Sequence, residues 1–124
     1  MKVLMADDSA LLRKNLKKLL SSVAHISSIV ESDTVESTLR TVKTADPDVI
    51  ILDISLPDGS GFDVLEVLQQ KEHRPLIIVL TNFATETNRK KSLEMGAVYF
   101  FDKSNEFEKA IGVLQHTRPP KNLM

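Results

Sequence analysis

Cysteine is absent from this chain, which excludes disulfide staples and thiolate-held metals. Glycine and proline are scarce, at four and five of 124 residues, so the fibrous and disordered classes drop out. What is left is the composition of an ordinary globule, 42% hydrophobic and 27% charged. A long apolar run is missing as well: the one at the N-terminus ends at Asp7 and Asp8, too soon for a signal-peptide core or a membrane span. The expectation is a cytoplasmic protein without membrane insertion. No sign of charge dominates either, since 16 basic residues face 17 acidic ones and the basic ones are scattered through helical stretches. That balance argues against direct nucleic-acid binding. No repeat or low-complexity tract occurs, and 124 residues suffice to bury one core. The paired prolines of Arg118-Pro119-Pro120-Lys121 mark the one linker-like piece, giving a domain over residues 1–117 and a tail over 118–124.

What the chain does contain is short apolar runs alternating with amphipathic stretches of helical period. This predicts an α/β fold, a doubly wound, five-stranded parallel sheet with helices on both faces. Strands are expected at Val3–Ala6, Ile26–Glu31, Val49–Leu52, Leu76–Leu80 and Val98–Phe101. The first helix should bury Leu12, Leu16, Leu19 and Leu20, with Arg13, Lys14, Lys17 and Lys18 facing water. Asp33 with Glu36 reads as a capping box for a helix burying Val35, Leu39 and Val42. Pro57, Gly59 and Gly61 predict a turn into a helix carrying Phe62, Leu65 and Leu68. A fourth helix is expected from Glu86 to Met95 with Gly96 ending it, and Asn105 with Glu108 should open a last one burying Phe107, Ile111 and Leu114.

In open parallel sheets, ligands bind outside the carboxyl ends of the strands. The residues that terminate the apolar runs are Asp7 and Asp8, Asp53, Thr81 and, just beyond the fifth strand, Lys103. Taken singly, each has an ordinary reading: helix caps for Asp7 and Asp8, a loop acid for Asp53, a turn residue for Thr81, a surface lysine for Lys103. Together they place three carboxylates, a hydroxyl and an ammonium on one edge. Crowded carboxylates raise each other's pKa unless a cation neutralises them. An all-oxygen cluster suits a hard ion that keeps its waters, and Mg²⁺ fits better than zinc.

Four stretches in order make the pattern specific: Val3-Leu4-Met5-Ala6-Asp7-Asp8-Ser9, Ile50 through Gly61, Val79-Leu80-Thr81, and Gly96 through Ser104. Over residues 1 to about 117 the chain resembles a response-regulator receiver domain of two-component signalling, with its flavodoxin-like topology. The resemblance implies that a histidine kinase or histidine phosphotransfer protein passes a phosphoryl group to Asp53, and that Asp7, Asp8, Asp53 and the Ser55 carbonyl bind Mg²⁺. It implies that Lys103 and the Thr81 hydroxyl hold phosphoryl oxygens, and that Thr81 and Phe100 switch the face made by the fourth helix, fifth strand and fifth helix, where a downstream protein docks. Such a chain catalyses its own phosphorylation and dephosphorylation but is mainly a switch.

The alternatives are a receiver-like interaction module working without phosphorylation, and an enzyme on a similar fold. A flavin-binding carrier would want a Ser/Thr/Gly-rich phosphate loop where Asp7-Asp8-Ser9-Ala10 stands. With the sequence running to Met124, no room is left for a DNA-binding helical unit unless this is an excised fragment. Four residues depart from the usual pattern. Ser104 replaces a frequent cis-proline and should take a trans bond. Asn82 is bulkier than usual beside Thr81. Phe100 lacks the hydroxyl common at its position. Phe83 offers no polar group to position water, which implies a longer-lived phosphoryl state.

Overall fold

Val49-Ile50-Ile51-Leu52, buried at all four positions, forms the middle strand of the sheet, as its unbroken apolar run predicts. The computed structural model describes residues 1–117. Five parallel strands, β1 (Lys2–Ala6), β2 (Ser28–Ser32), β3 (Val49–Leu52), β4 (Leu76–Thr81) and β5 (Tyr99–Asp102), lie in the order β2-β1-β3-β4-β5. Five helices connect and cover them: α1 (Ala10–Leu20), α2 (Val35–Ala45), α3 (Gly61–Leu68), α4 (Glu86–Glu94) and α5 (Phe107–His116). The tail from residue 118 lies outside the described residues. No helix among the described residues is long and apolar enough to cross a membrane.

The two-residue alternation of a strand splits the core between the two faces. Leu4, Ile50, Leu52, Ile77, Val79 and Phe100 pack on one side with Val42, Val64, Leu65 and Leu68 of α2 and α3. Val3, Met5, Val49, Ile51, Ile78 and Leu80 pack on the other with Leu16 and Leu20 of α1 and Ala110, Ile111 and Leu114 of α5. Each fully buried leucine or isoleucine contributes about 1.5–3 kcal/mol. The strands are pinned near their amino ends too, where Lys2 N–H donates to Asp48 Oδ2 at 2.7 Å and Lys2 Nζ to the Ala45 carbonyl.

Element boundaries differ from the sequence reading where polar neighbours compete. Leu19 is 48% exposed, because the inward stripe of α1 runs through Leu16 and Leu20 and leaves Leu19 a third of a turn away. The α2 cap is Thr34 paired with Ser37, not Asp33 with Glu36: Thr34 Oγ1 accepts Ser37 N–H at 2.9 Å and Ser37 Oγ accepts Thr34 N–H at 3.1 Å. Val35 and Leu39 are only half-buried, while Thr38 is fully buried. The second strand starts at Ser28 because Ile26 N–H is turned back onto the Val23 carbonyl. In place of a plain turn, Ser55–Leu56 and Gly59–Ser60 form a short antiparallel ladder, and Gly61 is the first residue of α3. The fifth strand runs one residue later than expected, leaving Val98 exposed. Asn105 does not start α5; its amide donates to Asp102 Oδ2, and the helix begins at Phe107, which is half-buried, without a side-chain cap.

The polar sequence of α4, Glu-Thr-Asn-Arg-Lys-Lys-Ser-Leu-Glu, buries only Ser92. Lys91 lies over the Phe62 ring at 4.2 Å, a cation–π contact joining α4 to α3. Ser92 Oγ is buried without a hydrogen-bond partner among the described residues. A buried unpaired hydroxyl costs stability, and alanine is the better helix former. Ser92→Ala should therefore leave urea stability unchanged or raise it by up to about 1 kcal/mol. A loss of more than about 1 kcal/mol would mean the hydroxyl is bonded after all.

Candidate functional site

Asp7, Asp53 and Lys103 each follow their strand on the side facing α1 and α5, continuing the alternation of Val3 and Met5, of Val49 and Ile51, and of Phe101. Their side chains meet there. Lys103 Nζ lies 2.7 Å from Asp7 Oδ2 and 2.9 Å from Asp53 Oδ2. Both carboxylates are nearly out of solvent, at 4% and 5% exposure. Asp8 is exposed at the rim, and one oxygen from each of Asp7, Asp8 and Asp53 lies within 4.8 Å of the others.

Backbone bonds hold this arrangement. Asp53 N–H donates to the Ala6 carbonyl at 2.9 Å, Asp7 N–H to Ser32 at 3.0 Å and Lys103 N–H to Thr81 at 2.9 Å. Asp53 Oδ1 accepts from Ser55 N–H at 3.2 Å, and Asp7 Oδ1 from Ser9 N–H at 2.8 Å. The cap of α1 is Ser9, whose hydroxyl accepts from Leu12 N–H, so Asp7 and Asp8 are not spent on capping. Burial pushes the Asp7 carboxyl above its usual range, only partly offset by its bonds to Lys103 and Ser9. Burial pulls the Lys103 ammonium down, but its bonds to Asp7 and Asp53 outweigh it and hold the group above an ordinary lysine.

Thr81 is fully buried at the end of β4, and its hydroxyl accepts from Phe83 N–H at 3.2 Å. Phe100 is buried on the opposite side of β5 from Tyr99 and Phe101, which stack with centroids 5.8 Å apart. Val79 lies beside Phe100 in the register, so Thr81 and Phe100 share the face packed on α2 and α3, and α4 lies against β5. Phe83 is 54% exposed near the site. The Lys103–Ser104 peptide is trans, as expected for serine, and Ser104 Oγ donates to Asn82 Oδ1 at 3.3 Å. Thus the loops after β4 and β5 are joined through two of the departing residues.

Contrary to the expectation that Arg13 faces water, its side chain is mostly buried. It donates to the Asp7 carbonyl and pairs with Glu31 at 3.1 Å. Only its spacing from Asp7 hinted at this: one helical turn after Ser9, it points back toward the end of β1. Gly61 is the other missed residue. A Cβ there would lie 2.5 Å from the Asp53 carbonyl oxygen and 2.9 Å from Ile54 Cα, and Gly61 N–H donates to the Ile54 carbonyl at 2.6 Å. The backbone of α3 therefore closes directly onto Asp53.

Three acids and a lysine thus meet at the carboxyl edge of a doubly wound sheet, and comparisons with known proteins give the family. Residues 3–115 match the family model of the response regulator receiver domain. The chain belongs to that family. It is 31% identical over 121 residues to the sensory transduction protein LytT of Bacillus cereus, covering 98% of this chain and 48% of that protein. It is 36% identical over 105 residues to a protein-glutamate methylesterase/protein-glutamine glutaminase of Rhodospirillum rubrum, covering 82% of this chain and 28% of that protein. The chain thus spans about half or less of these relatives. Among solved structures, the non-phosphorylated HemR receiver domain of Leptospira biflexa aligns with a TM-score of 0.81 at 26% identity, over 96% of this chain and 97% of that one. The Mn(2+)-bound response regulator Rcp1 aligns with a TM-score of 0.84 at 18% identity, over 96% of this chain and 99% of that one, a likeness of fold.

Gly61→Ala should cost about 1–3 kcal/mol in denaturant unfolding, because both atoms met by the new methyl are backbone. The Asp53 and Ile54 amide resonances should move with it. An alanine variant of parental stability and unshifted Asp53 would refute the close approach.

Proposed function

We propose that Asp53 accepts a phosphoryl group from a histidine kinase or a histidine phosphotransfer protein, and that residues 1–117 act as the receiver unit. The observation that carries this is the pair of bonds from Lys103 to Asp7 and Asp53 beside exposed Asp8, a preformed charge cluster with three acids and one ammonium. One Asp53 carboxylate oxygen attacks phosphorus. The bond from phosphorus to the donor's imidazole nitrogen breaks, and its electron pair stays on that nitrogen. Lys103 then exchanges its hold on Asp53 for a phosphoryl oxygen, a charge-assisted bond.

The acids present fit a Mg²⁺ ion: their donors are hard oxygens, and one lysine cannot balance three carboxylates and an incoming phosphate. Asp7, Asp8, Asp53 and the Ser55 carbonyl would hold it. When bound, it offsets repulsion between nucleophile and phosphoryl oxygens. Thr81 leaves its bond to Phe83 and donates to another phosphoryl oxygen, and the space it vacates draws on Phe100 and the cover of α4. A downstream protein docks on α4, β5 and α5, where Leu93, Val98 and Tyr99 expose apolar surface.

Acetyl phosphate with Mg²⁺ should add the mass of one phosphoryl group to the parent protein, with no gain in Asp53→Asn or in EDTA. Equal labelling of Asp53→Asn would place the acceptor elsewhere. Phosphorylated parent protein should lose its group at pH 7 more slowly than Phe83→Glu, whose carboxylate can orient the attacking water. Parent loss as fast as in Phe83→Glu would remove Phe83 from that role.

A further inference from the structure

Asp58 lies outside the acid cluster, at the tip of the ladder made by Ser55–Leu56 and Gly59–Ser60, and reaches across to a different helix. Its Oδ1 accepts from Val35 N–H at 2.6 Å and its Oδ2 from Glu36 N–H at 3.1 Å. These are the first two amides of α2, which the helix itself leaves open. Thr34 already supplies the helix's own cap by taking Ser37 N–H. The carboxylate of Asp58 is thus a second, long-range cap on one helix, and those two bonds hold its carboxyl below the usual range.

The tie reaches both halves of the acid cluster. On one side it fixes the loop that carries Ser55, whose N–H bonds Asp53 and whose far end closes through Gly61 onto Ile54. On the other it fixes α2, which is anchored to β2 by the buried Ser32–Thr38 hydroxyl pair at 2.7 Å. Ser32 is also the residue whose carbonyl accepts Asp7 N–H. We propose that Asp58 is a positioning residue that clamps the Asp53–Ser55 loop to α2 and so preforms the Mg²⁺ site. This rests on the reading that Asp53 and Ser55 share that site. The clamp acts by ordering the loop before the ion arrives, so that binding does not have to supply the ordering entropy.

The test is a titration of MgCl₂ alone into the parent protein, Asp58→Ala, Asp58→Asn and Thr34→Ala, read from the Asp53 and Ser55 amide resonances, with circular dichroism of each. Asp58→Ala should bind Mg²⁺ about tenfold more weakly, the size typical of groups that orient metal ligands. Asp58→Asn keeps one oxygen acceptor and should fall between, and it carries the comparison if the alanine variant unfolds. Thr34→Ala weakens the same helix without touching the loop, and should lower the melting temperature while leaving Mg²⁺ affinity at the parental value. Parental affinity in the folded Asp58 variants would overturn the clamp, as would equal weakening by Thr34→Ala, which would make Asp58 a helix cap alone. A parent protein that binds no Mg²⁺ would instead overturn the site itself, and the clamp with it.

Discussion

Two nearly buried carboxylates share one lysine ammonium at the carboxyl edge of the sheet, with Lys103 Nζ at 2.7 Å from Asp7 and 2.9 Å from Asp53. Taking such charges out of water costs several kcal/mol per ion, and their attraction offsets this only when the geometry is tight. Most of the surrounding structure serves that geometry. Parallel register sets the ends of β1 and β3 side by side, Ala6 beside Leu52. Lys103 N–H is held on the Thr81 carbonyl, and Arg13 steadies the turn after β1. The cluster keeps one unmet demand, since three acids face a single ammonium. That demand is for positive charge, which a divalent cation would answer.

The two faces of the sheet carry different groups to its carboxyl edge. Asp7, Asp53 and Lys103 continue the alternation of the face packed on α1 and α5, whereas Phe100 packs on the opposite face with α2 and α3. Thr81 shares the parity of Ile77 and Val79 and so lies on the same face as Phe100, at the carboxyl end of β4. α4, which lies against β5, is the helix least held by apolar burial among the described residues, with Ser92 its one buried residue. Elements with few buried apolar contacts lie at the low-stability end of a fold and are the ones that shift. The proposed switch through α4 would therefore ask little of the rest of the core.

Fold class, strand count and the acid cluster were legible because they rest on strong, local signals. Val49 to Leu52 could be nothing but a doubly covered strand, and an acid immediately after it had to stand at the sheet's edge. Helix starts were less legible. Asp33, Thr34, Glu36 and Ser37 are all competent capping residues within one turn, and only the path of the chain from β2 decides which pair is used. Leu19 and Arg13 depart from the amphipathic pattern of α1 for a related reason: a helical wheel gives the spacing of a stripe but not which neighbour lies opposite each position.

The sequence by itself determined the alternation of strands and helices, the chemistry available at each strand end, and hence the family to which the chain belongs. Tertiary structure alone decided which groups touch. That Lys103 binds both Asp7 and Asp53, that Gly61 leaves room for the Asp53 backbone, and that Asp58 accepts the first amides of α2 all join residues beyond the reach of a helical turn or a strand repeat. The physical reason is that propensity and periodicity act over a few residues, whereas ion pairs, close backbone approaches and long-range caps depend on the register and twist of the assembled sheet.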